Sequence, residues 1–179
     1  MLLFDFGQTA VKRAIADYEN DCLTRLTLLP TLPAPCLNVL RPSQNLDDIV
    51  QFANWLMDLL AATWRETAES HLDLSSTVAV SLACYLLDGQ PRPVDVGCYG
   101  RLQHLTSSLN QFLTDGFSQR LGQSAPVNLW HDGAAASLTW AGETQTAVFT
   151  FGTAIGVGFP PLTGSFCALD PALIIRPAV

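Results

Sequence analysis

The chain of 179 residues is rich in apolar residues and poor in charge: 49% are hydrophobic, 14% are charged, and the net charge is −7. This balance indicates a protein with a well-buried core and excludes an intrinsically disordered chain. The negative charge, with no cluster of basic residues, argues against partners such as nucleic acid or an anionic membrane. No apolar run reaches the length of about 18 residues that a membrane-spanning helix needs.

The cysteine pattern indicates neither a disulfide framework nor a zinc site, since five cysteines are odd in number and show no C-x-x-C spacing. We therefore expect reduced, mostly buried thiols, no zinc, and a cytoplasmic location. No basic segment precedes the apolar start of the chain, so residues 1–4 predict a strand rather than a signal peptide. The cysteines are Cys22, Cys36, Cys84, Cys98 and Cys167.

The first third of the chain predicts three strands and a helix. Apolar stretches at 2–6, 11–17 and 22–29 are separated by turn residues. Four prolines between Pro30 and Pro42 then predict an irregular surface connection. Apolar residues at three- and four-residue spacing predict a helix over 46–70.

The rest of the chain alternates between strands and helices. The spacing predicts strands at 77–85 and 126–130, helices at 102–121 and 133–140, and a hairpin formed by 145–151 and 156–159. Gly122 is a plausible helix stop. This order predicts a mixed sheet whose later strands are parallel, with ligands at their carboxyl ends. Asp132 follows such a strand.

Two glycine-containing turns at opposite ends of the chain suggest phosphate binding. They are Asp5-Phe6-Gly7-Gln8-Thr9 and the stretch from Phe151 to Gly158. Glycine lets a backbone approach a phosphate closely because it has no Cβ. Together with the carboxylate of Asp132, these turns predict phosphoryl-transfer chemistry.

Three motifs in this order resemble the actin-like ATPase (sugar kinase/Hsp70/actin) superfamily, and within it the glucokinase-like ROK family. The family's Asp-x-Gly-Gly-Thr turn followed by a lysine is matched at Asp5, Gly7, Thr9 and Lys12, with Gln8 in place of a glycine. Its Asn-Asp-Ala motif after a Pro-Val strand is matched at Asp132, with His131 in place of the asparagine. Its Gly-Thr-Gly-Ile-Gly-x-Gly motif is matched at Gly152, Thr153, Ile155, Gly156 and Gly158, with Ala154 in place of a glycine.

The resemblance implies a ribonuclease-H-like α/β fold: a five-stranded mixed sheet with helices on both faces. It places an N-terminal lobe at 1–143 and the incomplete start of a second lobe, a hairpin and tail, at 144–179. The family's Glu-x-Gly-His motif, zinc loop and adenine-holding lobe do not follow Phe159. We therefore expect a truncated, kinase-like protein.

The resemblance also implies a role for each matched residue, and each has a structural alternative. Asp5 would orient Mg²⁺ or start a turn, and Asp132 would be the general base or a helix N-cap. His131 would bind the substrate or be structural. Lys12 would reach a phosphate or be an exposed strand lysine. The glycines and threonines, Gly7, Thr9, Gly152, Thr153, Gly156 and Gly158, would hold phosphates or form tight turns.

Two functions remain open on the sequence. One is ATP- and Mg²⁺-dependent phosphoryl transfer to a sugar or similar hydroxyl compound, impaired in this chain alone because the second lobe is incomplete. The other is a non-catalytic binding or assembly module, or a half-subunit whose missing lobe comes from a partner chain. Exposed surface on the hairpin and tail favours a homo-oligomer, most simply a dimer.

Overall fold

The chain folds around one mixed sheet, seen in a computed structural model that describes residues 1–20, 22–35, 45–92, 97–152, 155–163 and 171–176. Its strands are β1 to β10 and its helices α1 to α3. The strand bounds are Leu2–Phe6, Ala10–Glu19, Cys22–Pro33, Val78–Leu82, Leu86–Leu87, Gln90–Pro91, Val127–His131, Val148–Phe151, Ile155–Gly158 and Ile174–Ile175. The helix bounds are Leu46–Ala68, Leu109–Leu121 and Asp132–Ser137.

The main sheet has the order β10-β3-β2-β1-β4-β7. β2 is antiparallel to both β1 and β3, whereas β4 is parallel to both β1 and β7. Three antiparallel strands followed by two parallel ones form the ribonuclease-H-like topology that the sequence predicts. The predicted adjacency of β1 and β4 is confirmed. The strands β5 and β6, and likewise β8 and β9, form separate two-stranded sheets.

A sixth strand and a longer β3 correct the sequence-based description of this sheet. β10 pairs with β3 at Leu26 and Thr27, although two apolar residues are too few for a pattern to predict. β3 continues through Pro30 and Pro33, where we expect the irregular connection to begin. A strand tolerates proline where no second neighbour needs its N–H, and both prolines lie beyond the contact with β10.

The core lies on one face of the sheet. Buried and less buried residues alternate along β1 and β4, and because successive side chains point to opposite faces, the buried ones share one face. Their buried residues form one cluster with apolar residues of α1 and α2. On the opposite face, α3 and the residue after it line a second cavity with Leu3 and Ala79. Helices therefore lie on both faces. The buried strand residues are Leu2, Phe4, Phe6, Val78, Val80 and Leu82.

The second helix begins later than the spacing predicts. A short 3₁₀ helix occupies Gly100–His104, and α2 begins at Leu109. The Thr106 hydroxyl accepts a hydrogen bond from the Ser108 amide at 3.1 Å, which favours a turn over continued helix. The predicted stop is confirmed, since Gly122 caps α2 with a φ of 69°.

The β8–β9 hairpin packs against α3 through bare backbone. A Cβ on Gly158 would lie 1.8 Å from the carbonyl oxygen of Gly133, and one on Gly133 would lie 2.7 Å from that of Val157. Neither position has room for a side chain. Glycine at both positions therefore lets the hairpin approach α3.

The disulfide state differs from the expectation of reduced thiols, because Cys98 is disulfide-bonded. Disulfides are uncommon in reducing compartments, so the cytoplasmic location stays a prediction. Within the described ranges, no helix has both the length and the apolar character to cross a bilayer.

Replacing Gly158 with alanine should loosen the hairpin. The added Cβ meets backbone rather than a movable side chain, so we expect a loss of about 1–3 kcal/mol in the free energy of unfolding. Urea denaturation measures this loss, and hydrogen exchange should quicken in β8 and β9. Gly122→Ala is the control, because a Cβ there meets nothing within 4 Å and only its positive φ is strained. Unchanged exchange in the hairpin of Gly158→Ala would contradict the packing role.

Candidate functional site

A cleft of about 870 Å³ lies between the carboxyl ends of β1 and β4, α3 and the hairpin. Phe6, Leu82 and His131 are in register across β1, β4 and β7, so the three strands end together. With one strand between them, the backbones of Phe6 and His131 lie about 10 Å apart. This edge of the sheet therefore gathers residues that are distant in sequence.

Most of the predicted site residues line this cleft. Gly158 does not line it and instead contacts Gly133, and Thr153 and Ala154 lie outside the described residues. Those that line it are Asp5, Gly7, Thr9, Lys12, His131, Asp132, Gly152 and Gly156. Their chemical roles stay predictions.

The β1–β2 turn is fixed by hydrogen bonds at Gly7. Its amide donates to the Ala10 carbonyl oxygen at 3.0 Å, and its carbonyl oxygen accepts from the Tyr99 hydroxyl at 2.9 Å. The Gly7 N–H is thus already used within the turn, and the phosphate-binding role of Gly7 stays a prediction. Among the described residues, no acceptor pairs with the amides of Gln8 and Thr9, and these are the available donors of the turn.

Two residues that sequence reasoning did not identify support this turn. The Gln8 side-chain amide donates to the Ala83 carbonyl oxygen at 3.1 Å, which ties the turn to the end of β4. Tyr99 is fully buried and stacks edge-on against Phe6. No periodic signal marks Tyr99, because it lies in an irregular segment and reaches Gly7 only through the fold.

Asp5 and Lys12 are cross-strand partners in β1 and β2, with the Lys12 Nζ 3.1 Å from Asp5 Oδ2. Both side chains are exposed, at 41% and 71% respectively. An exposed pair of this kind contributes at most about 1 kcal/mol. Both charges can therefore turn toward a ligand at low cost.

Asp132 begins α3 with one of its oxygens held from two sides. Oδ1 lies 2.8 Å from His131 Nε2 and accepts from the Gly133 amide at 2.6 Å. The side chain is still 32% exposed. The N-cap of α3 is His131 rather than Asp132, since His131 Nδ1 accepts from the Ala134 amide at 3.3 Å.

The structure leaves His131 little scope to bind a substrate. Its two ring nitrogens contact Asp132 and Ala134, and its ring lies 4.5 Å from that of Tyr85, centroid to centroid. Only 8% of the residue is exposed. In this arrangement both ring nitrogens already have polar neighbours, and the substrate-binding role of His131 stays a prediction.

The hairpin passes directly over Asp132. Gly156 pairs with Thr150 across β8 and β9, and a Cβ on Gly156 would lie 2.4 Å from Thr150 Oγ1 and 3.5 Å from Asp132 Oδ1. Glycine at this position therefore keeps the space above the carboxylate open. The second turn and the carboxylate consequently share one cleft.

Comparisons with known proteins support no family assignment. No protein-family model matches the chain, and no curated protein matches it. Among solved structures, it is similar to a ROK hexokinase from Thermus thermophilus, with 17% identity and a TM-score of 0.47, over 90% of this chain and 47% of that one. It is also similar to Thermus thermophilus RuvC, with 14% identity and a TM-score of 0.40, over 82% of this chain and 73% of that one.

The chain thus spans about half the length of the ROK hexokinase. Similarities of this degree say nothing about activity. The ribonuclease-H-like fold is defined here by the strand order and strand directions.

The Tyr99 hydroxyl should make stability depend on alkaline pH. Burial, followed by repulsion from Asp5 and Cys84, raises the pKa of Tyr99 well above its usual value. Because the pKa of Tyr99 is higher in the folded chain than in the unfolded chain, its contribution to stability is fully present below about pH 10, the usual pKa of tyrosine. This contribution is lost as the pH rises further. Tyr99→Phe lacks this ionisation and the hydrogen bond to Gly7.

We therefore expect Tyr99→Phe to cost about 1 kcal/mol at pH 8. Above pH 10 this cost should shrink by about 1.4 kcal/mol per pH unit. Urea denaturation of both proteins from pH 8 to 11 measures the difference. A difference that is constant across this range would show that the hydroxyl is not held neutral by the fold.

Proposed function

We propose that this chain is a kinase-like protein of ROK type that binds a magnesium–nucleotide complex in the cleft. By ancestry it transfers phosphate from ATP to a sugar or a similar hydroxyl compound. The observation that supports this most directly is the cleft itself. It brings the β1–β2 turn, the carboxylate of Asp132 and the β8–β9 turn together from three parts of the chain.

The first turn has the donors that a polyphosphate needs. The amides of Gln8 and Thr9, the Thr9 hydroxyl and the Lys12 ammonium all belong to residues that line the cleft. Backbone amides at a turn and a nearby lysine are the common means of holding phosphate oxygens. Gly152 and Gly156 of the hairpin also line the cleft, so phosphate oxygens would be contacted by two separate parts of the chain.

Magnesium fits the donor set at this site. Within the described ranges, no cluster of three or more His, Cys, Asp or Glu side chains could form a protein cage for a metal. Mg²⁺ does not need one, because it is held by one or two carboxylates together with waters and substrate phosphates. Asp5 would supply the carboxylate, and the ion would neutralise charge on the phosphates.

Asp132 would accept the proton of the attacking hydroxyl. As that proton passes to the carboxylate, the hydroxyl oxygen forms a bond to the γ-phosphorus. The bond from phosphorus to the bridging oxygen breaks, and ADP leaves with the electron pair of that bond. A positioned base of this kind contributes about 10²- to 10⁴-fold to a rate.

We expect binding and turnover by this chain to be weak. Across the cleft from the sheet, the described residues provide only the two-stranded hairpin, which is a marginal structure by itself. Phosphoryl transfer requires phosphates held from both sides with water excluded. The sugar acceptor rests on the resemblance to ROK kinases.

Calorimetric titration of the full chain with Mg-ATP tests the nucleotide site. We expect a Kd near or below about 1 mM, which corresponds to roughly 4 kcal/mol, and weaker binding by Asp5→Asn. Asp132→Asn should still bind, yet lose about 10²- to 10⁴-fold of any sugar phosphorylation. Asp73→Asn is the control, since it removes the same charge from an exposed residue outside the cleft. Binding that no cleft substitution changes would refute the site.

A second candidate function is assembly, and the outer face of the hairpin favours it. Cross-strand partners share a face, and the pairs Phe149–Val157 and Phe151–Ile155 lie on the face opposite Thr150 and Gly156. Of these residues, Phe151 and Ile155 also line the cleft. Phe149, Phe151 and Ile155 are exposed at 56%, 79% and 61%. We propose that this face, defined by these four residues, binds a second copy of the chain, because contiguous exposed apolar residues mark interaction sites.

Light scattering tests the association. We expect the chain to be a dimer at micromolar concentration, and the double variant Phe149→Ser, Phe151→Ser to be a monomer. Leu72→Ser is the matched control, because Leu72 is 95% exposed and lies far from the hairpin in sequence. A monomeric parent chain would refute self-association by this face.

A further inference from the structure

We infer that His131 is a positioning residue for Asp132: it holds one carboxylate oxygen so that the other is left for the hydroxyl proton. The inference rests on the proposed function, because Asp132 is the base only if the cleft transfers phosphate. It gives His131 a role other than binding the substrate. The geometry of three contacts supports it.

The contact with Ala134 fixes the tautomer of the imidazole. The Ala134 amide donates to Nδ1 at 3.3 Å, so Nδ1 carries no proton. A neutral imidazole then has its proton on Nε2. That nitrogen lies 2.8 Å from Asp132 Oδ1, so the positive end of the imidazole N–H dipole is close to the carboxylate.

The ring cannot easily leave this position. Tyr85 lies against it, with centroids 4.5 Å apart and planes inclined by 32°. The residue is also nearly buried, and His131 is the last residue of β7, where pairing with Leu82 fixes its backbone. A ring held by a hydrogen bond, a close polar contact and a packed neighbour is preorganised.

The consequence for Asp132 is that its two oxygens differ. Oδ1 accepts the N–H of Gly133 at 2.6 Å and lies 2.8 Å from His131 Nε2. Oδ2 has no hydrogen bond to any residue in the described ranges, and the side chain is partly exposed in the cleft. Oδ2 is thus the atom that would accept the proton from a hydroxyl.

His131 also caps α3, and the two roles can be separated by substitution. Asparagine places an oxygen near the position of Nδ1, so His131→Asn keeps an acceptor for Ala134 but removes the N–H that lies close to Asp132. Glutamine places an amide near the position of Nε2, so His131→Gln keeps an N–H close to Asp132 but loses the cap. Each variant therefore keeps the role that the other variant removes.

Kinetics and stability of the two variants in the full chain form the first test. We expect His131→Asn to keep stability and Mg-ATP affinity but to lower kcat about 10- to 100-fold, since a misplaced catalytic group costs this much. His131→Gln should be less stable but keep most of kcat. If His131 is purely structural, kcat should fall only in the variant that loses stability. That result would overturn the inference.

Nitrogen-15 NMR of His131 forms the second test and does not depend on turnover. We expect a neutral imidazole protonated at Nε2, with an Nε2–H proton signal that shifts in Asp132→Asn. A proton on Nδ1, or no response to Asp132→Asn, would overturn the inference. If the signals are as expected but the parent chain shows neither Mg-ATP binding nor transfer, the proposed function fails and the held geometry of Asp132 stands.

Discussion

The parallel pairing of β1 with β4 is the constraint on which the rest of this structure depends. It fixes which residues of each strand face α1 and α2, since a shift of one residue would exchange the two faces. It also ends the two strands at the same level, and β7 follows through its pairing with β4. The cleft exists because these three strand ends meet beside α3. The β1–β2 turn and the carboxylate of Asp132, far apart in sequence, come to one cleft by the same pairing that buries the core.

The fold was largely predictable because its signals are local and repeated. Alternation in β1, the helical spacing in α1 and the stop at Gly122 each arise from residues that are close in sequence. The errors came from tertiary contacts. β10 is two residues long and forms only because β3 offers a free edge, and the prolines of β3 are tolerated for the same reason. Neither fact can be read from a local pattern.

Much of the lining of the cleft was predictable as a set of residues, whereas the contacts within it were not. The motifs identify Asp5, Thr9 and Asp132, and the fold brings all three to one cleft. Whether a polar group of the cleft is already hydrogen-bonded depends on partners that the local sequence pattern does not reveal. The hydroxyl of Tyr99 and the carbonyl oxygen of Ala10 occupy the backbone of Gly7. These two hydrogen bonds, one of them from a residue distant in sequence, determine which donors of the turn remain for a ligand.

The pairing of β10 with β3 has a mechanical consequence for the cleft. The hairpin is joined to the sheet on one side through α3, which follows β7, and the chain returns to the opposite edge of the same sheet at Ile174 and Ile175. It therefore lies on a loop anchored at both ends, which has fewer conformations than a free arm. The pairing of β10 with β3 therefore restricts the positions open to the hairpin, although β10 is only two residues long.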